Sequence, residues 1–276
     1  MPELPEVETV RRGLAAELAD RQILSAEIRR PDLRRPFPPR LAEHLSGRHI
    51  VVYGRRGKYL LLQLDGDHTM IAHLGMSGRM TISRGNKPPP GRHDHLIIEF
   101  VDGLSLTYTD PRRFGLIDLC KTAELGRHVL LAKMGPEPLS ADFDGEALAA
   151  ALKGRRTPIK SALLDQKVVA GVGNIYACEA LFRSGISPRR SAHTVQGKRA
   201  GRLAAAVRTV LEEAIEAGGS SLRDYARTDG ELGYFQHRFA VYDREGAPCP
   251  DCTCGGQVSR ILQSGRSTFY CAARQR

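Results

Sequence analysis

The chain of 276 residues holds no apolar run approaching the roughly 20 residues needed to cross a bilayer, so no membrane is expected as a partner. Its opening, Pro2-Glu3-Leu4-Pro5-Glu6, is acidic and has no apolar core, so it does not read as a secretory leader and a cytoplasmic location is expected. There is no internal repeat and no long low-complexity tract, which argues against a solenoid or a disordered chain; Pro88–Pro90 marks only a loop. Acidic residues are in short supply. Asp and Glu number 31 against 41 Lys and Arg, giving a net charge of +10 and a pI near 9.6. A field of that sign favours polyanions, nucleic acid first and an anionic membrane surface second. Three of the six cysteines (Cys249, Cys252, Cys254) fall close together. In a cytosolic protein such clustering points to a metal before a disulfide.

What is present fits a globular protein: hydrophobic residues make up 41% and charged residues 26%. Val7, Val10, Leu14 and Leu18 recur at helical spacing, predicting an amphipathic helix over about Glu6–Leu18. The texture then turns to short strands: Ile50–Tyr53, Tyr59–Leu64, Met70–Leu74, Leu96–Phe100, Leu104–Tyr108 and Leu116–Leu119. Asp102-Gly103 supplies a hairpin turn between two of them. Such a series suggests a sandwich or barrel. From Gly145 to Tyr225 helical spacing dominates, most clearly in Leu203, Val207, Val210, Leu211 and Ile215. Gly218-Gly219-Ser220-Ser221 then ends that helix and can cap another. The last residues are short, cysteine-bearing and rich in Gly and Arg. Three units follow, spanning residues 1–130, 131–240 and 241–276: a β-rich domain, a helical domain and a small ribbon.

The first candidate for chemistry is Pro2. Removal of the initiator Met1 before a small residue frees a secondary amine. Such an N-terminal amine is a more available nucleophile near neutral pH than an ordinary lysine. With an aldehyde it can form only a cationic iminium, which draws electrons from the neighbouring carbon and permits elimination of a β-phosphate. Glu3 and Glu6 are carboxylates placed to hold the amine or to move a proton. Lys58, in Arg55-Arg56-Gly57-Lys58, sits between two expected strands where a turn could present an ammonium. Arg266, in a Ser-Gly-Arg-Ser turn, offers a forked guanidinium suited to phosphate.

The opening Met1-Pro2-Glu3-Leu4-Pro5-Glu6-Val7-Glu8-Thr9-Val10-Arg11-Arg12-Gly13-Leu14 resembles that of the formamidopyrimidine-DNA glycosylases. The resemblance continues through Gly57-Lys58-Tyr59-Leu60, His73-Leu74-Gly75-Met76-Ser77-Gly78 and Asp110-Pro111-Arg112-Arg113-Phe114-Gly115. It then runs through Gly171-Val172-Gly173-Asn174-Ile175-Tyr176, Gly233-Tyr234-Phe235-Gln236 and Gly265-Arg266-Ser267-Thr268-Phe269-Tyr270-Cys271 to the end of the chain. It implies an α+β protein with an N-terminal β-sandwich and leading helix, a helical helix–two-turn–helix domain and a C-terminal β-hairpin zinc-finger-like ribbon. By the same resemblance Pro2 is the Schiff-base nucleophile and Glu3 a general acid. Lys58 is the proton donor of β-elimination, and Arg266 is associated with δ-elimination. Enzymes of this kind flip the target base out of the stack and fill the gap. The filling residues would be Met76, Arg112 and Phe114, apolar wedges and a hydrogen-bonding cation. Phosphate contacts would come from His93, Arg155 or Arg156, Lys160 and Asn174. The glycine turn before Asn174 opens a helix whose amides suit an anion, and the segment Thr228–Gln236 would cover the flipped base.

At the C-terminus the chain departs from the family. Family members usually carry two cysteine pairs around structural zinc, but here Arg274 stands where the fourth ligand is expected. The extra thiol lies in Cys249-Pro-Asp-Cys252-Thr-Cys254, so Cys249 can pair with Cys252 or Cys254. If all bind, the set is Cys249, Cys252, Cys254 and Cys271; a zincless ribbon is the alternative. Cys120 and Cys178 read as core residues. The expected activity is excision of oxidised or ring-opened purines from double-stranded DNA with cleavage of abasic sites, by a monomer and without a catalytic cofactor. The rivals are a sister class preferring oxidised pyrimidines and a DNA-binding protein without catalysis.

Overall fold

The computed structural model describes residues 1–85, 89–220, 233–250, 253 and 255–276. The chain begins with α1 (Leu4–Leu18), whose Leu4, Val7, Val10, Leu14 and Leu18 form one buried stripe. The helix starts two residues earlier than periodicity suggests. Pro5 falls in its first turn, where a missing N–H is not needed, and Glu3 and Glu6 make a reciprocal capping box.

Strand β1 (Ile23–Ile28), the short helix α2 (Leu41–Leu45) and seven more strands follow: β2 (Ile50–Arg56), β3 (Tyr59–Leu64), β4 (His68–His73), β5 (Arg79–Arg84), β6 (Asp94–Phe100), β7 (Leu104–Thr109) and β8 (Leu116–Lys121). They make two four-stranded antiparallel sheets, ordered β1-β6-β7-β5 and β2-β3-β4-β8. Leu60, Leu62, Met70 and Ala72 of one sheet and Leu96, Ile98, Leu106 and Tyr108 of the other share one apolar cluster with the α1 stripe. This is the expected sandwich with its leading helix.

Four more helices follow: α3 (Gly145–Leu152), α4 (Ile159–Leu164), α5 (Asn174–Arg183) and α6 (Lys198–Glu216); the hairpin β9 (Val258–Gln263) and β10 (Arg266–Cys271) ends the chain. Asp144 caps α3, its carboxylate accepting from the Glu146 and Ala147 amides. No helix among the described residues is long and apolar enough to cross a membrane.

The division into units differs from the three expected ones. One unit is Met1–Ala132 with Ala217–Tyr234; the other is Lys133–Glu216 with Phe235–Arg276. The ribbon belongs with the helices because Phe182 and Cys178 of α5 pack in one cluster with Val241, Val258, Phe269 and Cys271. The return of residues 217–220, 233 and 234 to the first unit left no trace in hydrophobic periodicity.

Candidate functional site

In the first unit the candidate nucleophile Pro2 lies just ahead of α1. Pro2 is buried, whereas Met1 keeps 44% of its surface. Glu3 and Glu6 are each only 2% exposed. The Glu3 amide donates to Glu6 Oε2 at 2.8 Å, fixing the backbone beside Pro2. The other oxygen, Glu6 Oε1, accepts from the backbone N–H of Ser220 at 2.8 Å and from its hydroxyl at 3.0 Å. Gly219 makes this approach possible: its φ is +81°, and a Cβ there would lie 3.1 Å from Glu6 Cγ. Glu6 is thus the brace between α1 and the segment that returns from α6. Ser220 itself bridges to Tyr234; the helix that a serine of this stretch was expected to cap lies outside the described residues. The covering segment expected at Thr228–Gln236 lies outside the described residues over 228–232.

Lys58 sits in the turn between β2 and β3 and is 7% exposed, not a solvated turn lysine. A second buried acid organises that turn. Glu8 receives Arg11 Nη2 at 2.7 Å, Arg12 Nε at 2.9 Å and Arg55 Nε at 3.2 Å. Arg55 Nη1 in turn donates to the carbonyl of Gly57 at 3.0 Å, immediately before Lys58. Helix α1, which begins two residues after Pro2, and the turn carrying Lys58 are therefore joined by one charge cluster. Burial pushes the Glu8 carboxyl up, but the hydrogen bonds from Arg11 and Arg12 and the charges of Arg11 and Arg55 outweigh it and hold its pKa at about 2. A carboxyl lowered from 4.5 in this way stabilises the fold fully above pH 4.5, and the contribution disappears as pH falls toward 2. With allowance for solvent screening it is worth about 2–3 kcal/mol. Glu8→Gln is expected to flatten the acid limb of stability between those pH values in urea melts. An unchanged limb in the variant would refute the assignment.

His73, at the end of β4, stacks against Tyr59 with ring centres 4.9 Å apart and accepts the Gly75 N–H on Nδ1 at 2.9 Å. Burial, then the positive charges of Lys58 and Arg34, lower its pKa to about 4. At neutral pH it is therefore uncharged, with its proton on Nε2, and it fixes the loop leading to Met76.

Met76, Arg112 and Phe114 come together as two abutting loops. Asp110, completely buried, joins them. Its Oδ1 accepts the Ser77 hydroxyl at 2.6 Å, and its Oδ2 accepts the Gly115 amide at 2.8 Å and the Tyr108 hydroxyl at 3.4 Å. Ser77 Oγ accepts the Arg112 amide at 3.1 Å. Gly75, at φ +65°, lies so near the neighbouring loop that a Cβ would meet the Gly115 nitrogen at 2.4 Å. Phe114 is 47% exposed and Arg112 lies over its ring at 5.0 Å, so neither is core. Met76 is half-buried, and so is His93, whose carbonyl accepts the Asp110 amide at 3.0 Å. Asp110 was quoted in the sequence only as part of a motif; its role as hub could not be read there.

In the second unit Arg266 is exposed at the start of β10, at the tip of the hairpin. Lys160 corrects an expectation: it is fully buried, and its ammonium bonds Ser267 O at 3.0 Å and Thr268 Oγ1 at 2.6 Å. It is thus placed to hold the residues after Arg266 rather than a surface phosphate. Asn174, the first residue of α5, also donates to Ser267 O, at 3.0 Å. The partner of both lies about a hundred residues away, beyond any local pattern. Arg155 is half-exposed and pairs with Asp165 at 3.0 Å; Arg156 is exposed. Glu179, fully buried in α5, accepts the amides of Ala240, Val241 and Tyr242, which fixes the chain entering the ribbon. Burial raises its carboxyl above the usual range despite those three amides.

Of the expected zinc ligands, Cys249 and Cys271 are buried in the ribbon's apolar cluster; Cys252 and Cys254 lie outside the described residues. Burial pushes the Cys271 thiol up, but hydrogen bonds from the Arg274 backbone, from Cys249 and from the Ala273 backbone bring it below its ordinary value. Two adjacent thiols fit half of a metal site, whereas the Arg274 guanidinium has no lone pair to give. Cys178 is core as expected, while Cys120 is only half-buried.

Two family models match the chain: the formamidopyrimidine-DNA glycosylase N-terminal domain over residues 1–117 and the formamidopyrimidine-DNA glycosylase H2TH domain over 134–226. The formamidopyrimidine-DNA glycosylase of Ruegeria pomeroyi is 56% identical, with all of both chains covered. The MutM (Fpg) protein of Thermus thermophilus has a TM-score of 0.88 and 42% identity, covering 99% of this chain and 98% of that one. A Lactococcus lactis Fpg mutant in complex with Fapy-dG-containing DNA has a TM-score of 0.91 and 36% identity over the whole of both chains.

Proposed function

Because this chain belongs to the formamidopyrimidine-DNA glycosylase family, we propose that it excises 8-oxoguanine and ring-opened formamidopyrimidines from duplex DNA and then cleaves the strand. The supporting observation is the burial of Glu3, Glu6 and Lys58 in the unit that carries Pro2. Ionisable side chains are seldom kept out of water unless they are paired or put to use.

Met76 and Phe114 enter the space of the extruded nucleotide, and Arg112 bonds the orphaned base. The free secondary amine of Pro2 attacks C1′ of the sugar, and the C1′–N bond to the base breaks. Glu3 protonates the ring oxygen as the sugar opens, which leaves a cationic iminium between Pro2 and C1′. Loss of a C2′ proton then expels the 3′ phosphate, with the ammonium of Lys58 supplying a proton to the leaving side. Arg266 binds and assists departure of the 5′ phosphate in the second elimination. Hydrolysis of the iminium returns Pro2 and leaves a one-nucleotide gap. Every covalent step uses amine, carboxylate, ammonium and guanidinium groups of the chain. Zinc would be structural only, with Cys249, Cys252, Cys254 and Cys271 as its candidate thiols, and a ribbon without zinc serves the same steps. The enzyme acts as a monomer in the cytoplasm.

Borohydride reduction with abasic-site DNA tests the Schiff base: a covalent adduct is expected, and its absence leaves a binding protein without lyase chemistry. Comparing excision of 8-oxoguanine with thymine glycol separates purine from pyrimidine specificity, and strong preference for thymine glycol overturns the purine reading. Lys58→Met is expected to form the adduct while slowing strand cleavage by about 100-fold or more, the usual range for a proton-transfer group. Rapid-quench kinetics on abasic-site DNA check this; equal losses of adduct and cleavage would remove Lys58 from the elimination step.

A further inference from the structure

An arginine at the place of a fourth thiol cannot ligate a metal, so the base of the ribbon needs another closure. We propose that Arg274 provides it. The guanidinium lies over the Phe182 ring at 4.7 Å, and its Nε donates to the Phe182 carbonyl at 3.2 Å. That carbonyl belongs to the last turn of α5, where it also accepts the Gly185 amide at 3.1 Å and the helix dipole favours a cation. Phe182 is fully buried and packs in the same cluster as Cys249, Val258, Phe269 and Cys271. One ring therefore supports both the clasp and the interior of the ribbon.

The residues after Arg274 extend the closure. Gln275 is 3% exposed; its Oε1 accepts the Cys271 amide at 2.8 Å and its Nε2 donates to the Ile186 carbonyl at 3.0 Å. The Arg276 amide donates to the Gly185 carbonyl at 3.1 Å, and its own carbonyl accepts from Ser187 at 3.3 Å. The chain end is stitched to the turn after α5, and Lys160 holds the opposite end of β10. None of these contacts passes through a thiol. Arg274 is accordingly a positioning residue: it sets the hairpin, and with it Arg266, by a route independent of zinc.

The consequence for catalysis rests on the proposed role of Arg266 in the second elimination, so the first readout is one that catalysis does not enter. Amide hydrogen exchange of β9 and β10 is measured in the full chain, with and without EDTA. Protection in the unsubstituted protein is expected to survive EDTA. Arg274→Ala is expected to lose about tenfold, the scale of one partly desolvated cation–π contact with its hydrogen bond. Arg274→Cys, which restores the fourth thiol, is expected to be protected with zinc and to lose that protection in EDTA. Loss of protection in the unsubstituted protein on adding EDTA, or full protection in Arg274→Ala, would overturn the clasp. The second readout is the ratio of second to first elimination on abasic-site DNA, expected to fall in Arg274→Ala while adduct formation holds. Exchange lost with the ratio unchanged supports the clasp and removes Arg266 from the second elimination.

Discussion

A form of the chain carrying one extra residue ahead of Pro2, or retaining Met1, is expected to yield no borohydride-trapped adduct with abasic-site DNA. Excision should fall by at least about a thousandfold, the scale on which an essential nucleophile acts beyond binding alone. In peptide linkage the proline nitrogen is a tertiary amide whose lone pair is delocalised into the carbonyl, so it can neither attack C1′ nor form the iminium. The fold should be indifferent to the change. Met1 is 44% exposed, and the capping bonds of α1 begin at the Glu3 amide, one residue beyond the reacting atom. Circular dichroism and urea midpoints of the extended form should therefore match those of the processed protein. Mass spectrometry of the N-terminus, paired with trapping yield across preparations of differing Met1 content, gives the direct check. A blocked form that still traps DNA would show that another amine, a lysine or the new N-terminus, can serve in place of Pro2.

Asp110→Ala is expected to cost about 3–5 kcal/mol of stability, because it strands several buried donors at once. The Ser77 hydroxyl, the Gly115 amide and the Tyr108 hydroxyl all lose their acceptor. Asp110→Asn, which keeps one acceptor oxygen, is the variant for function. Its two loops should remain folded but no longer be held in register, so excision from duplex DNA should fall by about 100-fold, as when positioning is lost by about an ångström. Cleavage of an abasic site in single-stranded DNA, where nothing has to be extruded, should fall much less. Equal losses on the two substrates would show that Asp110 serves the fold alone and not the wedge.

The sequence made legible whatever is local in the chain. The α1 stripe, the alternating cores of β3 and β7 and the glycine turn before Asn174 each carry their own periodicity or turn chemistry. Strands β1 and β5 stand outside the quoted examples because they show no run of apolar residues. β1 buries only Ile23 fully, and β5 only Met80, both lying at sheet edges where one face meets water. The reactive residues were found by motif, and Pro2, Glu3, Lys58, Phe114 and Arg266 stand in the elements expected of them. The bonds that place them were not legible: Glu6 to Ser220, Asp110 to Ser77 and Lys160 to Ser267 connect distant positions, and nothing in local spacing encodes such a pairing. Lys160 shows the cost. The family resemblance reads it as a phosphate contact, while its full burial against Ser267 and Thr268 can be seen only in the fold.

The brace between Glu6 and Ser220 spans 214 positions along the chain. At ribosomal speeds of roughly 5–20 residues per second, Glu6 waits about 10–40 s before its partner is made. The helix that follows the proposed nucleophile is thus the first element synthesised and among the last to be secured. A truncated chain ending before Ser220 would carry Pro2, Glu3 and Lys58 with the amine already exposed but its helix start unbraced. Premature products of that kind should be poor enzymes, and the reactive amine is fixed in place only once the return segment has been made.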